Sequence, residues 1–190
     1  MKVRRGYEHL VHAAAEVNTR KLSVDPTEYA DLLFGVGSAT SAGPSLPGGS
    51  IHPSPETLEK DNGGYLRDQP IIGFGQAFLS GSGGVKCYGN FLLAPMVGAV
   101  ETDSAARASF AVPGSETAKC YEYSVKLENG ISARVSPAHN AAIYTFEFPE
   151  GEEASLLIDV AHKLDIDACM RDGFVEIDPA KRMISGGGCC

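Results

Sequence analysis

Over residues 121–148 the chain alternates. Tyr121, Tyr123, Val125 and Leu127 are interleaved with Glu122, Ser124 and Lys126, the two-residue period of a strand with one buried face. Ala142, Tyr144, Phe146 and Phe148 repeat that period. Between the two runs, Asn129-Gly130 predicts a type I′ hairpin turn into a strand over 131–136. Apolar stretches at 71–79, 91–100, 107–112, 155–161 and 174–177, bounded mostly by Gly, Pro or polar residues, predict further strands. Short strands at close spacing predict a mainly β protein, an antiparallel sandwich or barrel.

The N-terminal part follows a different period. Tyr7, Leu10, Val11 and Ala14 recur at helical spacing and share one face. A second helix is punctuated by Asp25 as N-cap, Pro26 at the first helical position and Glu28 completing a capping box. Leu32, Leu33 and Phe34 form its predicted apolar end, and Gly35 its stop. From 35 to 64 the chain is expected to be a loop, since Pro44, Pro47, Pro53 and Pro55 interrupt any ladder. The organisation predicted is a short helical arm over 1–22 followed by a β-sandwich domain over 23–190.

Composition narrows the class. A chain of 190 residues buries about 70% of its unfolded surface, enough for one domain without disulfides. Hydrophobic content is 43% against 21% charged residues, which excludes an intrinsically disordered chain. No apolar run approaches the length of a membrane-spanning helix. The net charge of −8, with basic residues scattered, disfavours phosphate backbones and anionic lipid, so neither nucleic acid nor membrane is expected as a partner. The N-terminus has basic residues without an apolar stretch behind them, and the five cysteines form no CxxC pair. These features predict no signal peptide and a reducing, cytoplasmic setting.

Most candidate chemistry reduces to packing. Gly35-Val36-Gly37 follows a predicted helix and runs into prolines, so it lacks the strand-to-helix context of a phosphate loop. Ser80 and Ser82 are followed by no helix, which removes the nucleophile-elbow reading. His52, His139 and His162 have no ligand spacing and are expected to be surface or packing residues. No catalytic residue and no metal ligand is assigned to the chain. The densest polar cluster is Asp61-Asn62-Gly63-Gly64-Tyr65-Leu66-Arg67-Asp68. Its Asp, Asn, Arg and Tyr are groups that hold sugar hydroxyls and stack on sugar faces.

An ordered series of motifs gives that cluster a context. Ser23-Val24-Asp25-Pro26 leads to Gly35-Val36-Gly37, then to Leu46-Pro47-Gly48-Gly49 and Ser54-Pro55-Glu56-Thr57. Gly64-Tyr65 and Asp68 precede a run from Ile72-Gly73-Phe74 to Leu79-Ser80-Gly81-Ser82-Gly83. Tyr88-Gly89, Leu93 and Pro95 follow, then Glu116 and Ala118, then the Tyr123 to Ile131 hairpin. Tyr144-Thr145-Phe146 and Asp159-Val160-Ala161-His162 close the series. In this order the motifs resemble the N-terminal domain of glycoside hydrolase family 92, the calcium-dependent inverting exo-α-mannosidases, over about residues 23–163. The chain departs at two pairs of positions. Gln76 and Phe78 stand where the family has His-x-His, and Ala138 and Ala142 stand where it has Arg and His.

The resemblance implies a supersandwich, galactose-mutarotase-like β domain, present here as an incomplete copy, joined in the family to a C-terminal (α/α)6 catalytic domain. General acid, general base and calcium ligands belong to that second domain, so calcium is expected there and not in this chain. The mannoside or N-glycan substrate would meet this chain at one wall of its pocket. Tyr65, Arg67, Asp68, Gln76 and Ser80 are the residues expected to reach a sugar or to organise that wall. A stand-alone carbohydrate-binding module is the competing reading, weakened by the absence of Trp.

Overall fold

In the computed structural model the described residues are 29, 31–37, 40–60, 63–78, 91–162, 164 and 171–189. The chain divides into two units, Met1–Asp31 and Leu32–Cys190, and the architecture below is that of the second. The helix expected around Leu10, the start of the second helix and the arm boundary at residue 22 lie outside the described residues. Residues 32–35 form a turn and not the apolar end of a helix. Gly35 takes a φ of +77°, Val36 N–H donates to the Leu33 carbonyl, and Phe34 is 87% exposed.

Among the described residues, two four-stranded antiparallel sheets and a separate hairpin make up the strand content. The first sheet contains β1 (Ser54–Thr57), β2 (Ile71–Gly75), β3 (Leu92–Val97) and β8 (Ala154–Asp159), in the order β1-β2-β3-β8. The second runs in chain order through β4 (Thr117–Lys119), β5 (Glu122–Lys126), β6 (Ser132–Pro137) and β7 (Ala142–Glu147). The hairpin pairs β9 (Arg171–Asp178) with β10 (Met183–Cys189). A single short α-helix among the described residues, α1 (Ser104–Arg107), is capped by Asp103, whose Oδ1 accepts from the Ala105 and Ala106 N–H groups.

The core lies between the two sheets. Ile71 and Phe74 from β2 meet Tyr123 and Val125 from β5 and Ala133 and Val135 from β6, with Leu127 and Ile131 closing one end. In β5 the predicted alternation holds, with Tyr123 and Val125 buried between less buried neighbours. The Phe74 and Phe146 rings lie 5.6 Å apart at 48°, and Tyr144 O–H donates to the Gly75 carbonyl at 2.9 Å across the sheets. Burying one such apolar side chain contributes about 1.5–3 kcal/mol, against about 0.2–1 kcal/mol for a cross-strand pair. Inter-sheet packing therefore outweighs ladder pairing.

Three local expectations change. The loop expected over 35–64 contains β1, with Pro55 inside it. β1 is an edge strand, so the missing N–H of Pro55 interrupts no ladder on its outer side. The strand expected over 107–112 is instead a crossover. Ser109 bridges to Ile71 of one sheet and Ala111 to Leu127 beside the other, and two single bridges to different sheets cannot build a strand in either. The Asn129-Gly130 turn is not type I′. Asn129 keeps a negative φ while Gly130 takes +89°, and Gly130 N–H donates to the Leu127 carbonyl at 3.0 Å. This is a three-residue loop, a type I turn followed by a left-handed glycine.

Candidate functional site

The loop between β1 and β2 is tied at its base by Thr57. Its N–H donates to the Gly64 carbonyl at 3.0 Å, and its hydroxyl accepts from Leu66 N–H at 2.9 Å. Leu58 N–H donates to the Pro70 carbonyl at 2.9 Å. The loop so closed turns at Asp68, whose φ of +64° is one that Asp tolerates better than bulkier residues. It carries Tyr65 inward and leaves Arg67 and Asp68 exposed.

Tyr65 is buried at 3% exposure, and its O–H donates to Glu116 Oε1 at 2.7 Å. The Tyr123 O–H donates to the same oxygen. Burial, reinforced by Glu116, pushes both phenols far above the ordinary tyrosine range. Both therefore stay protonated and act as donors. Two hydroxyls from different parts of the chain thus fix one carboxylate in the lining of a cavity of about 440 Å³. Ile71 and Phe110 form apolar wall, and Arg67, Asp68 and Glu128 stand among the lining residues. Arg67 Nη2 donates to the Leu33 carbonyl at 2.9 Å, tying the cavity to the 32–35 turn. Phe110 is 48% exposed, so part of its ring faces the cavity or solvent.

Of the residues expected at a site, the structure brings together Tyr65, Arg67 and Asp68. Gln76 lies beyond the far end of β2, where its carbonyl accepts from His52 N–H at 3.2 Å. Five residue-to-residue steps along the extended chain separate it from Ile71 at the cavity, about 17 Å. Ser80 lies outside the described residues. Phe78, one of the two departures from the His-x-His pattern, is core. A Cβ on Gly64 or Gly75 would come within 2.6 Å or less of its ring. Glu116 and Phe110 were not singled out as site residues from sequence, because only the fold brings them to Tyr65.

A second polar constellation joins the two edge strands of the first sheet. Glu56 of β1 is fully buried and accepts from Lys60 and from His162 Nε2, the latter at 2.7 Å. His162 Nδ1 lies 3.4 Å from Asp159 Oδ2 at the end of β8. Burial opposes a charge on His162, but its hydrogen bonds to Asp159 and Glu56 together outweigh burial and raise its pKa. The bond to His162 lowers the Asp159 pKa. His52 behaves oppositely. Burial lowers its pKa, and its ring nitrogen meets the Gly43 carbonyl at 2.7 Å. Among the described residues no group of three or more His, Cys, Asp or Glu is placed to hold a metal ion.

Two antiparallel sheets packed face to face, with a cavity of mixed polar and apolar lining beside the β1–β2 loop, define a β-sandwich-like domain. The sequence profile of the glycosyl hydrolase family 92 N-terminal domain matches residues 29–189, and the chain belongs to that family. An uncharacterized secreted glycosidase of Arthroderma benhamiae is 27% identical over an alignment 182 residues long, gaps included, that covers 86% of this chain and 23% of that protein. The family GH92 inverting mannosidase of Bacteroides thetaiotaomicron superposes with a TM-score of 0.66 at 23% identity, over 87% of this chain and 22% of its own. A GH92 α-mannosidase of the same organism gives 0.67 at 24%, over 75% and 21%. At such identities the superpositions show a shared fold. The chain spans less than a quarter of the length of each of these relatives.

Proposed function

We propose that this chain is the non-catalytic N-terminal domain of an α-mannosidase that hydrolyses terminal α-mannosides with inversion, and that it forms one wall of the substrate pocket. The observation that carries this reading is the cavity at Tyr65, Arg67 and Glu116 within a domain of a glycoside hydrolase family. Two structural relatives are mannosidases, which supports the substrate class. Inversion requires a water between two carboxylates about 6.5–9.5 Å apart, and we assign that pair, with calcium, to the (α/α)6 catalytic domain. This chain supplies binding. Arg67 and Asp68 donate to and accept from sugar hydroxyls, Phe110 meets the apolar face of the ring, and Glu116 is held in place by its two phenols. Gln76, beyond the far end of β2, is assigned to a separate contact toward the catalytic domain.

The test uses the enzyme containing this domain. Arg67→Ala should lower kcat/KM for a terminal α-mannoside while leaving the melting temperature unchanged. Unchanged kcat/KM in both Arg67→Ala and Phe110→Ala sinks the pocket-wall role. Saturable mannose binding by the 190-residue chain alone favours a stand-alone binding module.

A further inference from the structure

Glu116, immediately before β4, uses its two carboxylate oxygens differently. Oε1 accepts from Tyr65 on the β1–β2 loop and from Tyr123 of β5. Both phenols belong to buried residues, so that oxygen is committed to the interior. An ionised carboxylate has about four acceptor positions, and two of them are filled there. Among the described residues no hydrogen bond reaches Oε2. The buried side-chain oxygens without a partner among those residues are Glu56 Oε2 and Ser155 Oγ. Glu116 Oε2 is therefore open, on a residue that lines the cavity of about 440 Å³. The rest of the lining narrows what can meet it. Asp68 and Glu128 add two carboxylates against the Arg67 guanidinium, which already donates through Nη2 to the Leu33 carbonyl. An entering phosphate or carboxylate meets like charge at this oxygen. A hydroxyl meets an acceptor.

We propose that Glu116 is a ligand-binding residue of this cavity: its Oε2 accepts a hydrogen bond from a hydroxyl of a neutral sugar, while Tyr65 and Tyr123 hold the carboxylate in the orientation that presents it. The proposal rests on the pocket-wall reading of the domain and adds the residue that selects the ligand. A free glutamate side chain loses rotamer freedom when it binds. Here two phenols, one from the β1–β2 loop and one from the second sheet, impose that order on folding, so a ligand finds the acceptor already aimed. A site built to hydrogen-bond a hydroxyl discriminates strongly against the analogue that lacks it.

Glu116→Gln separates this role from a structural one. The amide oxygen can still accept from both phenols, and the two buried O–H donors select it, which puts the amide nitrogen in the place of Oε2. A donor then stands where the ligand hydroxyl needs an acceptor. In the 190-residue chain, Glu116→Gln should keep most of the stability that Glu116→Ala loses, read as the urea midpoint. In the enzyme containing this domain, Glu116→Gln should lower kcat/KM for an aryl α-mannoside at least about tenfold. Across the mono-deoxy forms of that mannoside the loss should persist on all but one, the form without the contacted hydroxyl. Unchanged kcat/KM in Glu116→Gln overturns the proposal. An equal loss on every mono-deoxy form also overturns it and makes Glu116 a positioning residue. So does a urea midpoint of Glu116→Gln as low as that of Glu116→Ala, since the phenols then do not hold the amide. Failure of the pocket-wall reading looks different: it leaves Arg67→Ala and Phe110→Ala both unchanged, whereas failure of this proposal alone leaves Arg67→Ala impaired and Glu116→Gln not.

Discussion

Glu116 shows how one residue couples the core to the cavity. Its Oε1 accepts from Tyr65 and from Tyr123, and Tyr123 belongs to the apolar core. Tyr65→Phe removes one donor without opening a void. We expect it to cost about 0.5–1.5 kcal/mol, read as a shift in the urea midpoint at constant m-value. Because both phenols share one acceptor, the double variant with Tyr123→Phe should depart from additivity by about 0.5 kcal/mol or more. Simple additivity would show that the two bonds act independently. Arg67 is exposed, so Arg67→Ala should stay within about 0.5 kcal/mol of the parent. A steric prediction concerns Gly43, where an added Cβ would lie 1.6 Å from the Pro53 carbonyl oxygen. Gly43→Ala has no flexible side chain to displace, and we expect a loss above about 1–3 kcal/mol, visible as a lowered yield of folded protein.

At the scale of elements, the Glu56–His162–Asp159 cluster links β1 to β8, the outer strands of one sheet. Its pH dependence follows from the two shifts. The folded-state pKa of His162 is raised above 6.5, so its contribution is full below that value and is lost as pH rises through the folded pKa. The folded-state pKa of Asp159 is lowered below 3.8, so its contribution is full above that value and is lost as pH falls through the folded pKa. Between them lies the window in which both contribute. The urea midpoint of the parent should therefore fall between pH 6 and pH 8.5, and His162→Gln should flatten that fall. An equal fall in the variant would assign the pH dependence elsewhere. The same cluster shows why elements were only partly legible. Asp159-Val160-Ala161-His162 was visible as a motif, but its partner Glu56 lies 106 residues away, and a buried ion pair leaves no local periodicity. β1 was hidden by Pro55, and β10 by three consecutive glycines, Gly186 to Gly188, which have low strand preference.

For the whole molecule, the chain as it stands should be folded, β-rich and catalytically silent. Far-UV circular dichroism should show the strand signature of the two sheets. Aryl α-mannoside turnover by the purified 190-residue chain should stay at the blank, with or without calcium, because acid and base are assigned to another domain. Turnover above the blank would place the catalytic carboxylates in this chain and overturn the division of labour. The departures from the family pattern bear on the same scale. Phe78 is packed against Gly64 and Gly75, so the second position of the His-x-His pattern serves the sandwich interior in this protein.

What the sequence determined by itself is set by short-range physics. Alternation marked β5 and β7, because a half-buried strand needs apolar side chains at every second position, and the Asn129-Gly130 turn signal marked β6 between them. The order of motifs identified the family, because turns and tight approaches demand particular residues at particular spacings. Tertiary structure alone decided the rest. It converted 107–112 from a strand into a crossover, since Ser109 and Ala111 find partners in different sheets. It made the Asn129-Gly130 turn a three-residue loop, since the Leu127–Ile131 pairing sets its length. It gathered Tyr65, Phe110 and Glu116 around one cavity and left Gln76 at the other end of β2. Which residues share a pocket depends on sheet order and strand register, and those are decided by long-range packing that no local pattern encodes.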